Sequence, residues 1–228
     1  MADMRTTWDA AATSERRDEY VGNPATARAE LEGLFCRLGD DPRGGVCVEV
    51  GCGPGRMTGP LAERFDRVLA VDVSPAMLDL ARQNVTAANV EFRLVSGERL
   101  DSLEDDVADV IVCYLVLQHL PSRSRVLAYL EEMSRVLAPT GSAFLQIPVL
   151  APGIGPRLWR SLRGLAVPLL ARLAREVERQ AAYRGFRLTE PELARGLAAA
   201  RLRVAVRDES ADSPYRFARE VFLRLDRA

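Results

Sequence analysis

Five apolar runs of strand length, separated mostly by helical segments, set the strongest limit on how this chain folds. They are Val46–Val50, Val68–Val73, Val90–Val95, Asp109–Leu117 and Ser142–Ile147. A Gly-rich turn leads from the first into a helix through about Phe65. Ser74-Pro75 supplies an N-cap and a first-turn proline for a helix to about Asn84. An acidic loop, Glu98–Asp106, follows the third run, and an amphipathic helix over Ser122–Leu137 follows the fourth. Near-continuous apolar strands interleaved with helices are the pattern of a parallel sheet covered on both faces.

The flanks extend this pattern. Residues 1–40 read as helical with a break around Val21-Gly22-Asn23-Pro24. Thr189-Glu190-Pro191-Glu192 opens a helix through about Ala200. Leu202–Val206 and Glu220–Leu225 then read as strands joined at Ser213-Pro214 with no helix between, which makes them antiparallel. The expected fold is α/β: a Rossmann-like, doubly wound, mostly parallel seven-stranded sheet with a C-terminal antiparallel hairpin. N-terminal helices and a helical insertion after strand five complete it. In that insertion Leu158, Leu162, Leu165, Leu169, Leu173 and Val177 form a helical stripe, which Pro168 should kink. Residues 157–187 carry eight arginines against two glutamates.

Composition removes several chemistries. All 31 basic residues are arginine, so a P-loop lysine, a Schiff-base lysine and a lysine general base are excluded. Four cysteines without a CxxC pair, and a single histidine, make no metal set. A net charge of −1 and a pI of about 6.0 predict no global attraction to nucleic acid or membrane. The charged N-terminus is no signal peptide, and the apolar run Val110–Leu117 is too short to span a bilayer as a helix. A cytoplasmic location is expected, with the cysteines as small buried residues.

In a doubly wound sheet, ligands bind beyond the carboxyl ends of the strands. Strand one ends there in Val48-Glu49-Val50-Gly51-Cys52-Gly53-Pro54-Gly55-Arg56, and strand two in Asp72, 21 residues after Gly51. The glycines permit positive φ and close approach to a ligand, and Asp72 suits a ribose diol. A nicotinamide dinucleotide or S-adenosylmethionine fits this much. Glu49 separates them, because a carboxylate repels a pyrophosphate and suits a sulfonium and an ammonium. The G-x-G-x-G spacing also brings the third glycine too early for G-x-G-x-x-G.

With VLAVDVSPAML (68–78), VSGERL (95–100), ADVIVCYLVLQHLP (108–121) and RVLAPTGSAFLQIP (135–148), the chain resembles a class I S-adenosylmethionine-dependent methyltransferase of the small-molecule, UbiE-like type. The resemblance covers roughly 40–150 by motif and 188–228 by architecture. It implies that Gly51, Cys52, Gly53 and Gly55 wrap the methionine part, that Glu49 organises this loop beside the ammonium, and that Asp72 takes the ribose hydroxyls. Val73 and Met77 would pack on the adenine, Gly97 and Glu98 would lie near its amino group, and Cys113 would offer its carbonyl to the ammonium. Relatives often place an acid just before the glycine after strand three, where this chain has Ser96. His119 stands where the family faces the methyl acceptor and is the candidate base or substrate contact. N-terminal helices fold over the cofactor in relatives, which makes Tyr20 a candidate substrate-side lid residue.

The organisation that follows is one domain over 1–228: a helical cap (1–40), a cofactor-binding core (41–148), an Arg-rich insertion or lid (149–188) and the C-terminal part of the sheet (189–228). The expected reaction is methyl transfer to O, N or C of a small molecule, with no metal and with nucleic acid not expected as a partner. The insertion can meet an anionic acceptor or a lipid headgroup. An RNA or protein methyltransferase and a non-catalytic cofactor-binding subunit stay open as alternatives.

Overall fold

A computed structural model of the chain describes residues 4–13, 23–162, 185–210 and 217–228. One sheet of seven strands organises them, in the order β3-β2-β1-β4-β5-β7-β6. The strands are β1 (Val46–Val50), β2 (Arg67–Asp72), β3 (Val90–Leu94), β4 (Ala108–Cys113), β5 (Leu137–Leu150), β6 (Leu202–Ser210) and β7 (Ala218–Arg227). β1 to β5 pair in parallel, whereas β7 lies antiparallel to both β5 and β6. The expected doubly wound sheet with its terminal hairpin is therefore the observed one.

Helices in chain order are α1 (Met4–Ala12), α2 (Ala27–Arg37), α3 (Thr58–Ala62), α4 (Pro75–Asn84), α5 (Arg123–Val136), α6 (described over 154–162) and α7 (Glu190–Ala199). Their starts follow local chemistry. The Ser74 hydroxyl accepts from the Met77 N–H at 3.1 Å at the head of α4, and the Ser122 hydroxyl accepts from Arg125 N–H at 3.3 Å at the head of α5. The Glu192 carboxylate accepts from the Thr189 N–H at 2.8 Å at the head of α7.

Alternation along the strands builds two cores. Val48, Val50, Val71, Ile111 and Cys113 point to one face, under α5 and α7. Cys47, Val68, Ala70, Val110 and Val112 point to the other, under Leu31, Leu34 and Phe35 of α2. Burial on both faces explains why the strands read as unbroken apolar runs.

Three boundaries differ from the sequence expectation. β4 ends at Cys113 rather than Leu117, because Leu115 takes a positive φ of 60° and Leu117–His119 form a 3-10 turn. Pro139-Thr140-Gly141 does not delay β5: the strand starts at Leu137 and absorbs these residues in a register shift against Ala108/Val110. Glycine is needed there, since a Cβ on Gly141 would lie 2.8 Å from the Ala108 carbonyl. The antiparallel strands are also longer than expected. They extend to Ser210 and start at Ala218, because paired exposed strands need not be apolar on their outer face. The break around residues 21–24 lies partly outside the described residues, as does most of the Arg-rich insertion.

Candidate functional site

β1 pairs with β2 on one side and with β4 on the other, so the direction of winding reverses between β1 and β4. A cleft opens beyond the carboxyl ends of these strands, with about 960 Å³ of space including its mouth. Glu49 to Pro54 from β1, Asp72 and Val73 from β2, Tyr114 to Val116 after β4, and Met4 and Trp8 from α1 form its walls.

The Gly-rich turn works differently at each glycine. Gly51 has a φ of 72°, and a Cβ there would meet Val116 Cγ2 at 2.5 Å. It lets the segment after β4 close down on the turn. Gly53 has a φ of 53° and would meet nothing within 4 Å, so its bare backbone faces open cleft. Gly55 was expected among the ligand contacts. It lies outside the lining, and its Cβ would strike Val85 at 2.9 Å and Ala81 at 3.3 Å. Its bareness serves the packing of the turn on α4.

Asp72 ties the turn to β2. One carboxylate oxygen accepts from the Gly53 N–H and the other from the Ser74 N–H, each at 2.9 Å. Burial raises its pKa, against the lowering effect of these N–H donors. Each oxygen retains a lone pair for a further donor. Asp9 of α1 sits close by, accepting from the Ser74 hydroxyl at 2.5 Å and from the Ala76 N–H at 3.3 Å. Arg5 donates to the Val73 carbonyl at 3.3 Å. These contacts seat α1 across the head of α4 and bring Met4 and Trp8 into the cleft.

Glu49 is 5 % exposed and accepts from the Thr58 hydroxyl at 2.6 Å. Burial pushes its carboxyl up to about 8, with Thr58 and Arg56 opposing and Asp72 adding to the rise. A positive charge arriving beside it would favour the ionised carboxylate, with the proton released to solvent. Arg56, also at the cleft wall, is held by Glu30 of α2 at 2.9 Å.

His119 lies across the cleft from the turn and meets the Trp8 ring edge-on, with centroids 5.0 Å apart. Its loop is clamped from behind. The Gly185 N–H donates to the Gln118 carbonyl at 2.6 Å, and the Phe186 N–H to the Leu120 carbonyl at 2.7 Å. The exit of the Arg-rich insertion therefore braces the loop that holds the histidine.

The structure brings Glu49, Gly51, Cys52, Gly53, Asp72, Val73, Met77 and His119 together around one cleft. Gly97, Glu98 and Cys113 are not in its lining. A Cβ on Gly97 would lie 3.1 Å from Val73. Glu98 turns outward to pair with Arg125 of α5. The Cys113 side chain is buried on the α5 face of the sheet, between the cleft residues Val112 and Tyr114. Tyr20 lies outside the described residues. Sequence reasoning missed Met4, Trp8, Arg56, Tyr114 and Tyr129 as cleft residues. Arg56 and Tyr114 adjoin motifs already singled out, which was the available signal.

A family model described as a methyltransferase domain matches residues 48–145. The chain is 32 % identical over 145 residues to N-demethylindolmycin N-methyltransferase of Streptomyces griseus, covering 60 % of this chain and 60 % of that protein. It is 28 % identical over 140 residues to the ubiquinone biosynthesis O-methyltransferase of Xanthomonas axonopodis pv. citri (strain 306), covering 60 % of this chain and 54 % of the relative. The match thus spans between half and three-fifths of each relative's length. Among solved structures, the N-methyltransferase NodS from Bradyrhizobium japonicum WM9, in complex with S-adenosyl-L-homocysteine, aligns with a TM-score of 0.66 at 16 % identity. That alignment covers 98 % of this chain and 97 % of NodS, and it bears on the fold.

Proposed function

We propose that this chain is a class I S-adenosylmethionine-dependent methyltransferase, which binds S-adenosylmethionine in the cleft at the β1/β4 switch and transfers its methyl group to a small molecule; the methyltransferase-domain match and the methyltransferase relatives support this reading. The observation that carries the reading is the pair of buried acids, Glu49 and Asp72, flanking the turn at Gly51–Gly53. A cationic, ribose-bearing ligand is complemented by that pair, because it favours the ionised form of Glu49, whereas a pyrophosphate would keep Glu49 protonated and gain nothing from Asp72. The open space at Gly53 fits the close approach of such a ligand.

S-adenosylmethionine held there would supply an electrophilic methyl carbon open to in-line attack by an acceptor lone pair, with the S–CH3 bond breaking to release a neutral thioether. The chain's part is alignment and the exclusion of water. Asp72 and the Gly53 backbone hold the nucleoside and methionine ends, with Gly51 and Cys52 beside them. Val73 and Met77 pack on the base. Glu49 balances the positive charge. Trp8 of α1 and His119 wall the opposite side, where the acceptor enters, and His119 takes the acceptor's proton where one must leave. Tyr20 remains a proposal for the substrate-side lid.

The 228 residues are read as one domain, with the four unpaired cysteines supporting a cytoplasmic setting. Among the described residues no helix is long and apolar enough to cross a membrane. Both curated relatives bear the names of small-molecule N- or O-methyltransferases, which favours that acceptor class.

The test is an acceptor panel of amines, phenols and carbon acids, read by formation of S-adenosylhomocysteine. Turnover of a small acceptor supports the reading. Tight cofactor binding with no turnover on any class would instead identify a cofactor-binding subunit, and turnover only on RNA or protein would move the acceptor class.

Glu49 adds a pH signature. With its carboxyl near 8 in the free protein, the group is mostly protonated at pH 7, and a cation binds the ionised form. Affinity for S-adenosylmethionine should therefore rise with pH below about 8, by up to about tenfold per unit from this group, then level off. Titration calorimetry in buffers of different ionisation heat should show nearly one proton released per ligand at pH 7. Glu49→Gln should release none; equal release from both proteins would reject the assignment.

A further inference from the structure

Helix α5 sends one polar side chain into the cleft that the motifs do not account for. Tyr129 is 2 % exposed and lines the cleft among Val73, Val95 and Leu120. Its hydroxyl is not among the buried polar atoms sealed off without a partner, and the residue faces the cleft. Burial pushes the phenol well above its ordinary pKa, so it stays a neutral O–H donor across the working pH range. The charged groups that act on it include Asp72, Asp101 and Arg125, with the Cys113 thiol beside it. Tyr129 lines the same cleft as Asp72, the proposed ribose acid.

In the loop after β3, Glu98 pairs with Arg125. Asp101 accepts from the Ser96 N–H at 2.9 Å. The Ser96 hydroxyl accepts from the N–H groups of Glu98 and Arg99, each at 3.3 Å. The loop after β3 thus spends the Ser96 hydroxyl and one Asp101 oxygen on its own N–H groups, and Glu98 on Arg125. Tyr129 puts a hydroxyl on a cleft wall where its neighbours Val73, Val95 and Leu120 are apolar, so its donor is offered to whatever the cleft holds.

We propose that Tyr129 is a nucleoside-recognition residue, its hydroxyl donating to a ring nitrogen of the base or a ribose oxygen of the ligand held in this cleft. The proposal rests on the reading of the cleft as a site for a nucleoside-bearing cofactor. It assigns to α5 the polar reading of the nucleoside that Ser96 and the outward-turned Glu98 do not supply.

Tyr129→Phe removes the oxygen and keeps the ring. Thermal unfolding of the ligand-free variant should match the wild type, because the packing of the ring is kept. Calorimetric affinity for S-adenosylhomocysteine should fall about 5- to 10-fold, and affinity for adenosine alone should fall by the same factor. A structural role would give the opposite pattern: a lower unfolding temperature without ligand and unchanged affinities. That pattern overturns the proposal, as does a loss confined to S-adenosylhomocysteine with adenosine binding intact. Wild-type protein that binds neither ligand overturns the cofactor reading, and this proposal with it.

Discussion

Asp72→Asn is expected to weaken S-adenosylhomocysteine binding by roughly 100-fold or more while leaving the fold in place. The carboxylate already accepts from the Gly53 and Ser74 N–H groups at 2.9 Å. Its remaining lone pairs are the acceptors available to a ribose diol. The amide replaces one oxygen with a donor, which then faces either a backbone N–H or a ribose hydroxyl. Hydrogen bonds to a charged group contribute about 1.5–3 kcal/mol each, so losing one and opposing another supports the expected size. Stability should change little, because the variant also removes a charge whose burial raises its pKa. Calorimetry and thermal unfolding on the same samples read the two effects separately. Unchanged affinity would remove Asp72 from the site.

The second large effect comes from comparing two glycines two residues apart. Gly51→Ala places a methyl 2.5 Å from Val116 Cγ2 at a φ of 72°. Backbone strain and overpacking together should cost about 2–5 kcal/mol. For a domain of this size that lowers the unfolding temperature by roughly 5–15 °C. Gly53→Ala meets no protein atom within 4 Å, so the strain of its positive φ, about 1–2 kcal/mol, is the whole cost to the fold. Its methyl instead occupies space assigned to the ligand, and affinity for S-adenosylhomocysteine should fall more than tenfold. Normal binding by Gly53→Ala would show that the ligand does not reach the turn.

These glycines also show what was legible in the sequence. The sheet could be read because burial on both faces leaves a trace in β1, β2, β4 and β5, while edge strand β3 keeps an alternating pattern, and antiparallel pairing of the last two strands followed from the missing helix between them. Asp72 and Glu49 could be read because their role depends on short spacings from a strand end. A glycine, however, reports close approach without naming what approaches. Gly53 faces the cleft, whereas Gly55 is bare to admit Val85 and Ala81 of the neighbouring helix region.

Contacts made across the chain left no local signal. Glu98 was assigned to the adenine from its place after β3, yet its partner Arg125 lies 27 residues later on α5. Trp8 is carried to His119 by a helix seated through Asp9 and Arg5, a placement that depends on side chains meeting over more than 60 residues. Nothing in the amphipathic stretch Ser122–Leu137 marks Tyr129 apart from its neighbours, and only the packing of α5 in the fold brings it to the cleft.

The account rests most heavily on the chemistry of the ligand at the β1/β4 switch. Isothermal titration of the wild-type protein with S-adenosylhomocysteine and, separately, with NAD tests it most directly. The predicted result is one site for S-adenosylhomocysteine, in competition with S-adenosylmethionine, and no heat from NAD. Saturable NAD binding with no response to S-adenosylhomocysteine would contradict it.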